Sequence, residues 1–130
     1  MAFNNCISLT TANFSSCLSV GYNAFGNCSA LVSISFPICT CLQGATFNKT
    51  GLVNAYFPSV SICEGAFSSC SQLTSVNLPL CTFLSGMTFA YCYNLITVSL
   101  PCLVSTTNST FYNCTALTSL SLPACTSIGI

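Results

Sequence analysis

Charge is almost absent from this chain of 130 residues, which contains one Lys or Arg, one Asp or Glu and no His. A single positive charge cannot neutralise a phosphate backbone, so the composition excludes nucleic acid as a partner. General acid–base catalysis, paired-carboxylate hydrolysis and Cys–His nucleophiles need a second partner group, and Glu64 is the sole acidic side chain. We therefore predict no enzyme activity, no catalytic residue and no cofactor.

Long apolar runs are also missing, although hydrophobic residues make up 52% of the chain. Ser, Thr or Asn interrupts every apolar stretch before it reaches the ~18–20 residues that a membrane-spanning helix needs. We therefore predict no membrane span. What replaces charge is a large set of uncharged polar residues: 20 Ser, 15 Thr and 11 Asn. The twelve Cys, taken as composition alone, favour a disulfide scaffold.

A repeat organises the whole chain. An Ala-Phe or Thr-Phe pair recurs with spacings of 22, 22, 20, 22 and 22 residues, at Phe3, Phe25, Phe47, Phe67, Phe89 and Phe111. A proline follows 11 or 12 residues after five of them, at Pro37, Pro58, Pro79, Pro101 and Pro123. Apolar residues alternate before each proline, as in segment 73–79, which predicts a short strand with one buried face that ends at the proline. Six units therefore account for residues 1–130 as one domain.

Segment 73–83 follows the leucine-rich repeat template L-x-x-L-x-L-x-x-N/C-x-L. The further signature A-F-x-x-C, seen at residues 24–28 and 66–70, resembles the BspA-like subfamily of leucine-rich repeat proteins. The resemblance implies a leucine-rich repeat solenoid of six coils of about 22 residues. Its parallel β-sheet would lie on one face, with irregular or turn segments opposite. It also implies a non-catalytic protein for adhesion or surface display, extracellular or at the cell surface.

Most cysteines fall into two columns of the repeat. Three residues after the Phe landmark stand Cys6, Cys28, Cys70, Cys92 and Cys114, with Thr50 in the remaining unit. Two residues after the proline position stand Cys17, Cys39, Cys81 and Cys125, with Val60 and Leu103 in two other units. The columns contain no CxxC pair and the chain has no His, so we predict no metal site. Coil spacing permits disulfides, but the Thr, Val and Leu substitutes favour buried thiols as small fillers. Both interpretations stay open.

The residues that alternate with core positions on each predicted strand point outward. After Thr11 and Asn13 of the first unit, they form a candidate contact face: Ser33, Ser35, Asn54, Tyr56, Ser75, Asn77, Thr97, Ser99, Ser119 and Ser121. One interpretation is an uncharged solvated surface. The alternatives are a hydroxyl ladder for carbohydrate, for a solid surface such as ice, or for a neighbouring copy. Tyr56 is the one large side chain in the set.

The two ends of the sequence are in phase with the repeat. A second copy placed after the first would put its Phe3 ten residues after Pro123, which is the ordinary spacing. We expect an uncapped array whose apolar ends stack head to tail into a filament, so that its main partners are other copies of itself. The residues assigned to these ends are Met1, Ala2, Phe3, Cys6, Leu122, Cys125, Ile128 and Ile130. Alternatively, the chain is a window of a longer surface or phage-associated protein that adheres to a host surface or carbohydrate.

The two charged side chains, Lys49 and Glu64, lie in the stretch that contains two one-residue deletions of the repeat. We expect them to face one another across consecutive coils and to form a local salt bridge.

Overall fold

The computed structural model describes residues 1–129, and this range contains eleven short strands joined by turns and no helix. The strands are β1 (Thr11–Asn13), β2 (Ser19–Val20), β3 (Ser33–Ser35), β4 (Cys41–Leu42), β5 (Asn54–Tyr56), β6 (Ile62–Glu64), β7 (Ser75–Asn77), β8 (Phe83–Ser85), β9 (Thr97–Ser99), β10 (Ser105–Thr106) and β11 (Ser127–Ile128). Every pairing is parallel and joins equivalent positions of consecutive coils. The predicted parallel solenoid is confirmed.

The strands form two ladders on different sides of each coil. The first ladder contains β1, β3, β5, β7 and β9, and the second contains β2, β4, β6, β8, β10 and β11. The second ladder is one continuous six-stranded sheet, whereas the sequence predicted irregular or turn segments opposite a single sheet. The second ladder was not foreseen because strands of two or three residues are too short to show an alternating pattern.

The first ladder is interrupted. It divides into β1–β3 and β5–β7–β9, and within residues 1–129 no backbone hydrogen bond joins β3 to β5. Strand β5 follows a shortened turn, in which Leu52 comes five residues after Phe47 instead of the usual six. Gly51 in this turn packs so closely that a Cβ would lie 2.4 Å from the carbonyl oxygen of Ser29. A residue without a side chain is therefore required there. Segment 119–121, predicted as the last strand of this face, forms no strand.

The core lies between the two ladders and contains a column of stacked phenylalanines, the Phe column. Its members are the six repeat landmarks, and the ring centroids of consecutive members lie 5.0, 5.6, 5.3, 5.5 and 5.5 Å apart. Phe47, Phe67 and Phe89 are completely buried. A shorter second column, Phe14, Phe36 and Phe57, packs against the first over the initial three coils. The repeat therefore supplies each coil with the same anchor in the core.

The turn after each landmark Phe holds a residue in the left-handed conformation, two positions after the Phe. These residues are Asn5, Asn27, Lys49, Ser69, Tyr91 and Asn113, with φ between 56° and 62°. Asn tolerates this conformation better than most residues, which explains its frequency at this position. The turns are also linked between coils, because the Phe25 N–H donates to the Thr46 carbonyl at 2.8 Å. Hydrogen bonds between coils thus continue beyond the strands.

Candidate functional surfaces

Eight of the ten residues of the candidate contact face lie on strands β3, β5, β7 and β9 of the first ladder, and Ser119 and Ser121 lie in a segment without a strand. Nine of the ten residues are exposed and Ser75 is half-buried. On the four strands the intervening residues are buried or half-buried, whereas Leu120 is exposed. The face is uncharged over its whole length, because Lys49 and Glu64 both lie outside it. The predicted alternation holds on these four strands and fails at segment 119–121, and a contact role for the face stays a prediction.

A cleft crosses this face where the first ladder is interrupted, and we call it the β3–β5 notch. It encloses about 330 Å³ and is lined by Val32, Ser33, Ile34, Ser35, Phe36, Pro37, Asn54, Tyr56 and Pro58. No ionisable carboxylate, amine or guanidinium is among these residues. Four of these residues belong to the contact face predicted from the sequence, but the cleft itself was not foreseen. The shortened turn before β5 was the one signal that could have indicated it.

Two side chains of β5 define one wall of the notch. The Ser75 hydroxyl donates to Asn54 Oδ1 at 2.6 Å, which fixes the amide and leaves its Nδ2 group free to donate. Tyr56 is 59% exposed. The notch therefore combines a fixed amide, serine hydroxyls and an open aromatic ring.

The end coils expose apolar side chains that are buried in the middle of the array. Phe3 is 38% exposed, whereas Phe67 in the same column is fully buried. An apolar depression of about 190 Å³ beside Phe3 is lined mainly by Phe14, Val20 and Phe25. The other predicted end residues of this coil, Met1, Ala2 and Cys6, are exposed.

The opposite end coil is similarly open. Ile128 on β11 is 72% exposed. Leu122 and Cys125 are half-buried. Ile130, also assigned to this end, lies outside the described residues. The structure thus places the described end residues at the two end coils, as the repeat indicated, and their assembly role stays a prediction.

No disulfide joins the twelve cysteines in the described part of the chain, and six of them are buried. In the column after the Phe landmark, the thiol donates to the Phe carbonyl of the preceding coil. Cys70 Sγ lies 3.0 Å from the Phe47 carbonyl oxygen and Cys92 Sγ lies 3.2 Å from that of Phe67. In the second column the thiol donates to the carbonyl two residues later, as Cys39 does to Cys41 at 3.3 Å.

These cysteines are hydrogen-bond donors as well as the small fillers predicted from the sequence, and their role as donors was not foreseen. The available signal was Thr50, a hydroxyl donor in the first column, which bonds the Phe47 carbonyl at 2.9 Å and lies 3.3 Å from Cys70 Sγ. Burial raises the pKa of Cys70 and of Cys81 to about 11. Because the thiolate is the reactive form, these thiols are unreactive at neutral pH. The two columns are therefore structural.

The predicted salt bridge was wrong: in residues 1–129 no ion pair joins Lys49 to Glu64. Lys49 lies in the turn after Phe47, whereas Glu64 ends β6 and pairs with Ser85 in the second ladder. The two side chains therefore belong to different sides of the coil.

Nowhere in residues 1–129 do three or more His, Cys, Asp or Glu side chains gather in a way that could hold a metal ion. The same range contains no helix long and apolar enough to cross a membrane.

Comparison with known proteins identifies the family. The description "BspA type Leucine rich repeat region" matches in six copies over residues 1–61 and 42–130. No curated protein matches the chain. A solved structure of a leucine-rich repeat protein from Bacteroides ovatus is similar, with a TM-score of 0.61 and 18% identity. The alignment covers 98% of this chain and 46% of that protein, so this chain spans less than half its length. Leucine-rich repeat proteins of this kind are generally non-enzymatic. The chain belongs to the BspA-type leucine-rich repeat family.

Proposed function

We propose that this chain is a non-catalytic structural protein whose copies associate head to tail into a filament outside the cell or on its surface. One observation carries the proposal. The second ladder is a continuous parallel sheet whose outer strands, β2 and β11, run in the same direction at opposite ends of the described chain. A parallel sheet with two such edges accepts another copy at either end without a change of orientation.

The register of that contact follows from the sheet itself. Each existing pair aligns equivalent positions, as Ser105 does with Ser127 and Thr106 with Ile128. Continuing the pattern puts Ser127 of one copy opposite Ser19 of the next. Because such a contact joins two different surfaces, it does not close on itself and generates an open filament.

Apolar burial supplies the driving force for this association. The depression beside Phe3 and the exposed Ile128 side chain are apolar surface that water must cover in a single copy. Covering such surface is favourable by about 25 cal/mol per Å². Electrostatic repulsion between copies is negligible, since the net charge is zero.

The family supports the surface location, and the buried cysteines are compatible with it. BspA-type repeats are typically found in surface proteins. Six of the twelve thiols are buried, Cys70 among them, and an oxidising environment attacks the thiolates that it can reach. The buried thiols are therefore compatible with such an environment.

Sedimentation velocity over a range of concentrations tests the proposal. We expect the wild-type weight-average sedimentation coefficient to rise with concentration. Ile128→Asp should weaken association more than tenfold, because it places a charge in the apolar contact. Ile96→Asp is the matched control, since Ile96 is 55% exposed on a middle coil and should leave association unchanged. Equal association in the two variants, or a wild-type monomer at every concentration, contradicts the proposal.

Ligand display by the contact face is a second candidate function, and the β3–β5 notch is the observation that favours it. A cleft of about 330 Å³ lies within the range of sizes at which small ligands bind. This function would operate in a single copy, so its test is independent of association.

A further inference from the structure

The β3–β5 notch exposes backbone hydrogen-bonding groups that are paired elsewhere in the ladder. The Ser33 N–H donates to the Thr10 carbonyl, and the Phe14 N–H donates to the Ser35 carbonyl. The peptide groups of Ser33 and Ser35 therefore face β1. Successive residues of a strand direct their peptide groups to opposite edges. The N–H and C=O of Ile34 therefore point into the notch.

The other wall follows from the same reasoning. The Thr74 N–H donates to the Val53 carbonyl, and the Phe57 N–H donates to the Asn77 carbonyl. The peptide groups of Val53 and Phe57 therefore face β7. The peptide groups of Asn54 and Tyr56 consequently point toward β3. The notch thus offers donors and acceptors from both walls, and within residues 1–129 no backbone bond crosses it.

The width of the notch excludes an extended peptide inserted as an extra strand. Phe36 and Phe57 directly follow β3 and β5, and their ring centroids lie 6.3 Å apart. Where the ladder is continuous, between β1 and β3, the ring centroids of Phe14 and Phe36 lie 5.0 Å apart. An inserted strand requires its neighbours to be about 9.6 Å apart, twice the usual strand spacing. A ligand must therefore lie across the notch from the polar side.

The side chains at the rim restrict the chemistry of the ligand further. The lining contains no Lys, Arg, Asp or Glu, so nothing in it compensates a charged ligand. Ser33, Ser35 and Asn54 present hydroxyl and amide groups, which donate and accept hydrogen bonds. Tyr56 adds an exposed ring face beside them. Sugar hydroxyls can pair with these hydroxyl and amide groups, and the C–H face of a pyranose ring can pack against the Tyr56 ring.

We propose that the β3–β5 notch binds a neutral pyranose residue of a carbohydrate, with the sugar ring against Tyr56 and its hydroxyls on Ser33, Ser35 and the backbone of Ile34. This names the ligand class for the second candidate function above and does not depend on head-to-tail association. The mixed polar and apolar lining and the volume of about 330 Å³ fit one sugar residue, with its neighbours extending over the contact face.

The test is saturation-transfer NMR of the wild-type chain with glucose, galactose, mannose and N-acetylglucosamine and with disaccharides of each, followed by titration. At least one of these probes should bind, and the amide signals of Ile34 and Asn54 should shift on titration. Tyr56→Ala should weaken binding about tenfold through loss of ring contact, whereas Tyr56→Phe should retain it. Tyr22→Ala is the matched control, because Tyr22 is also 59% exposed but lies outside the notch.

The inference is overturned if no probe binds, if binding is equal in Tyr56→Ala and Tyr22→Ala, or if the shifted amides lie away from the notch. Glucuronic acid serves as the charged comparison and should bind more weakly than glucose. Stronger binding of glucuronic acid also contradicts the assignment, since it would require a cation that the notch does not contain. Sedimentation of the same samples separates these outcomes from failure of the filament proposal.

Discussion

Replacing Phe67 with Ala tests whether the Phe column holds the solenoid together. Phe67 is completely buried, and its ring lies 5.3 Å from that of Phe47 and 5.5 Å from that of Phe89. It also packs against Phe57 at 5.6 Å. Truncation of a buried Phe removes the transfer free energy of the ring and leaves a cavity, at a cost of about 3–5 kcal/mol. The free energy of unfolding of a domain is about 5–15 kcal/mol, so Phe67→Ala should lose about a fifth of it or more.

The assay is urea unfolding followed by circular dichroism, at a concentration low enough to keep the chain monomeric. Phe3→Ala is the matched control, because Phe3 is 38% exposed and stacks on the column from one side only. Phe3→Ala should lower the free energy of unfolding by less than half as much as Phe67→Ala. Costs within about 0.5 kcal/mol of one another would refute the reasoning, since burial would then not determine the contribution of a column member.

Two further predictions concern the shortened turn and the thiols. Gly51→Ala should destabilise by about 1–3 kcal/mol in urea unfolding, because its Cβ would lie 2.4 Å from the Ser29 carbonyl oxygen. Gly21→Ala, whose Cβ would meet nothing nearer than 3.7 Å, should be within about 1 kcal/mol of wild type, and equal costs would contradict this account. At pH 8 a thiol reagent should label exposed Cys6 and Cys102 first and reach Cys63 and Cys70 only on unfolding. Because burial raises the pKa of Cys70 and Cys81 to about 11, their contribution to stability is intact below the pKa of an unfolded thiol and is lost as pH rises toward 11. A midpoint of unfolding unchanged between pH 8 and pH 11 would contradict this.

The repeat landmarks made the coil and its core predictable. The regular spacing of Phe and Pro predicts stacked coils, and the apolar alternation in segment 73–79 predicts which strand face is buried. Both follow from local sequence, because the same environment recurs in each coil. The outward orientation of residues such as Asn77 and Ser99 was predictable for the same reason.

The second ladder and the notch were not predictable in this way. Strands such as Ser105–Thr106 have two polar residues and owe their conformation to the coils on either side. The notch depends on how one missing residue in the turn before Leu52 displaces β5 from β3, which is a property of two coils together. The thiol hydrogen bonds likewise depend on the carbonyl of the preceding coil.

The prediction of a salt bridge between Lys49 and Glu64 was wrong for a related reason. Two residues that lie in consecutive repeat units need not lie on the same side of the solenoid. Lys49 is fixed in a left-handed turn and Glu64 is fixed at the end of a strand.

Electron microscopy of the purified chain at increasing concentration tests the head-to-tail proposal most directly. Six coils at ~4.8 Å predict rods that lengthen with concentration in steps of about 29 Å, with the coil spacing along the rod axis. Particles of one size, the size of a single chain, at every concentration would contradict it.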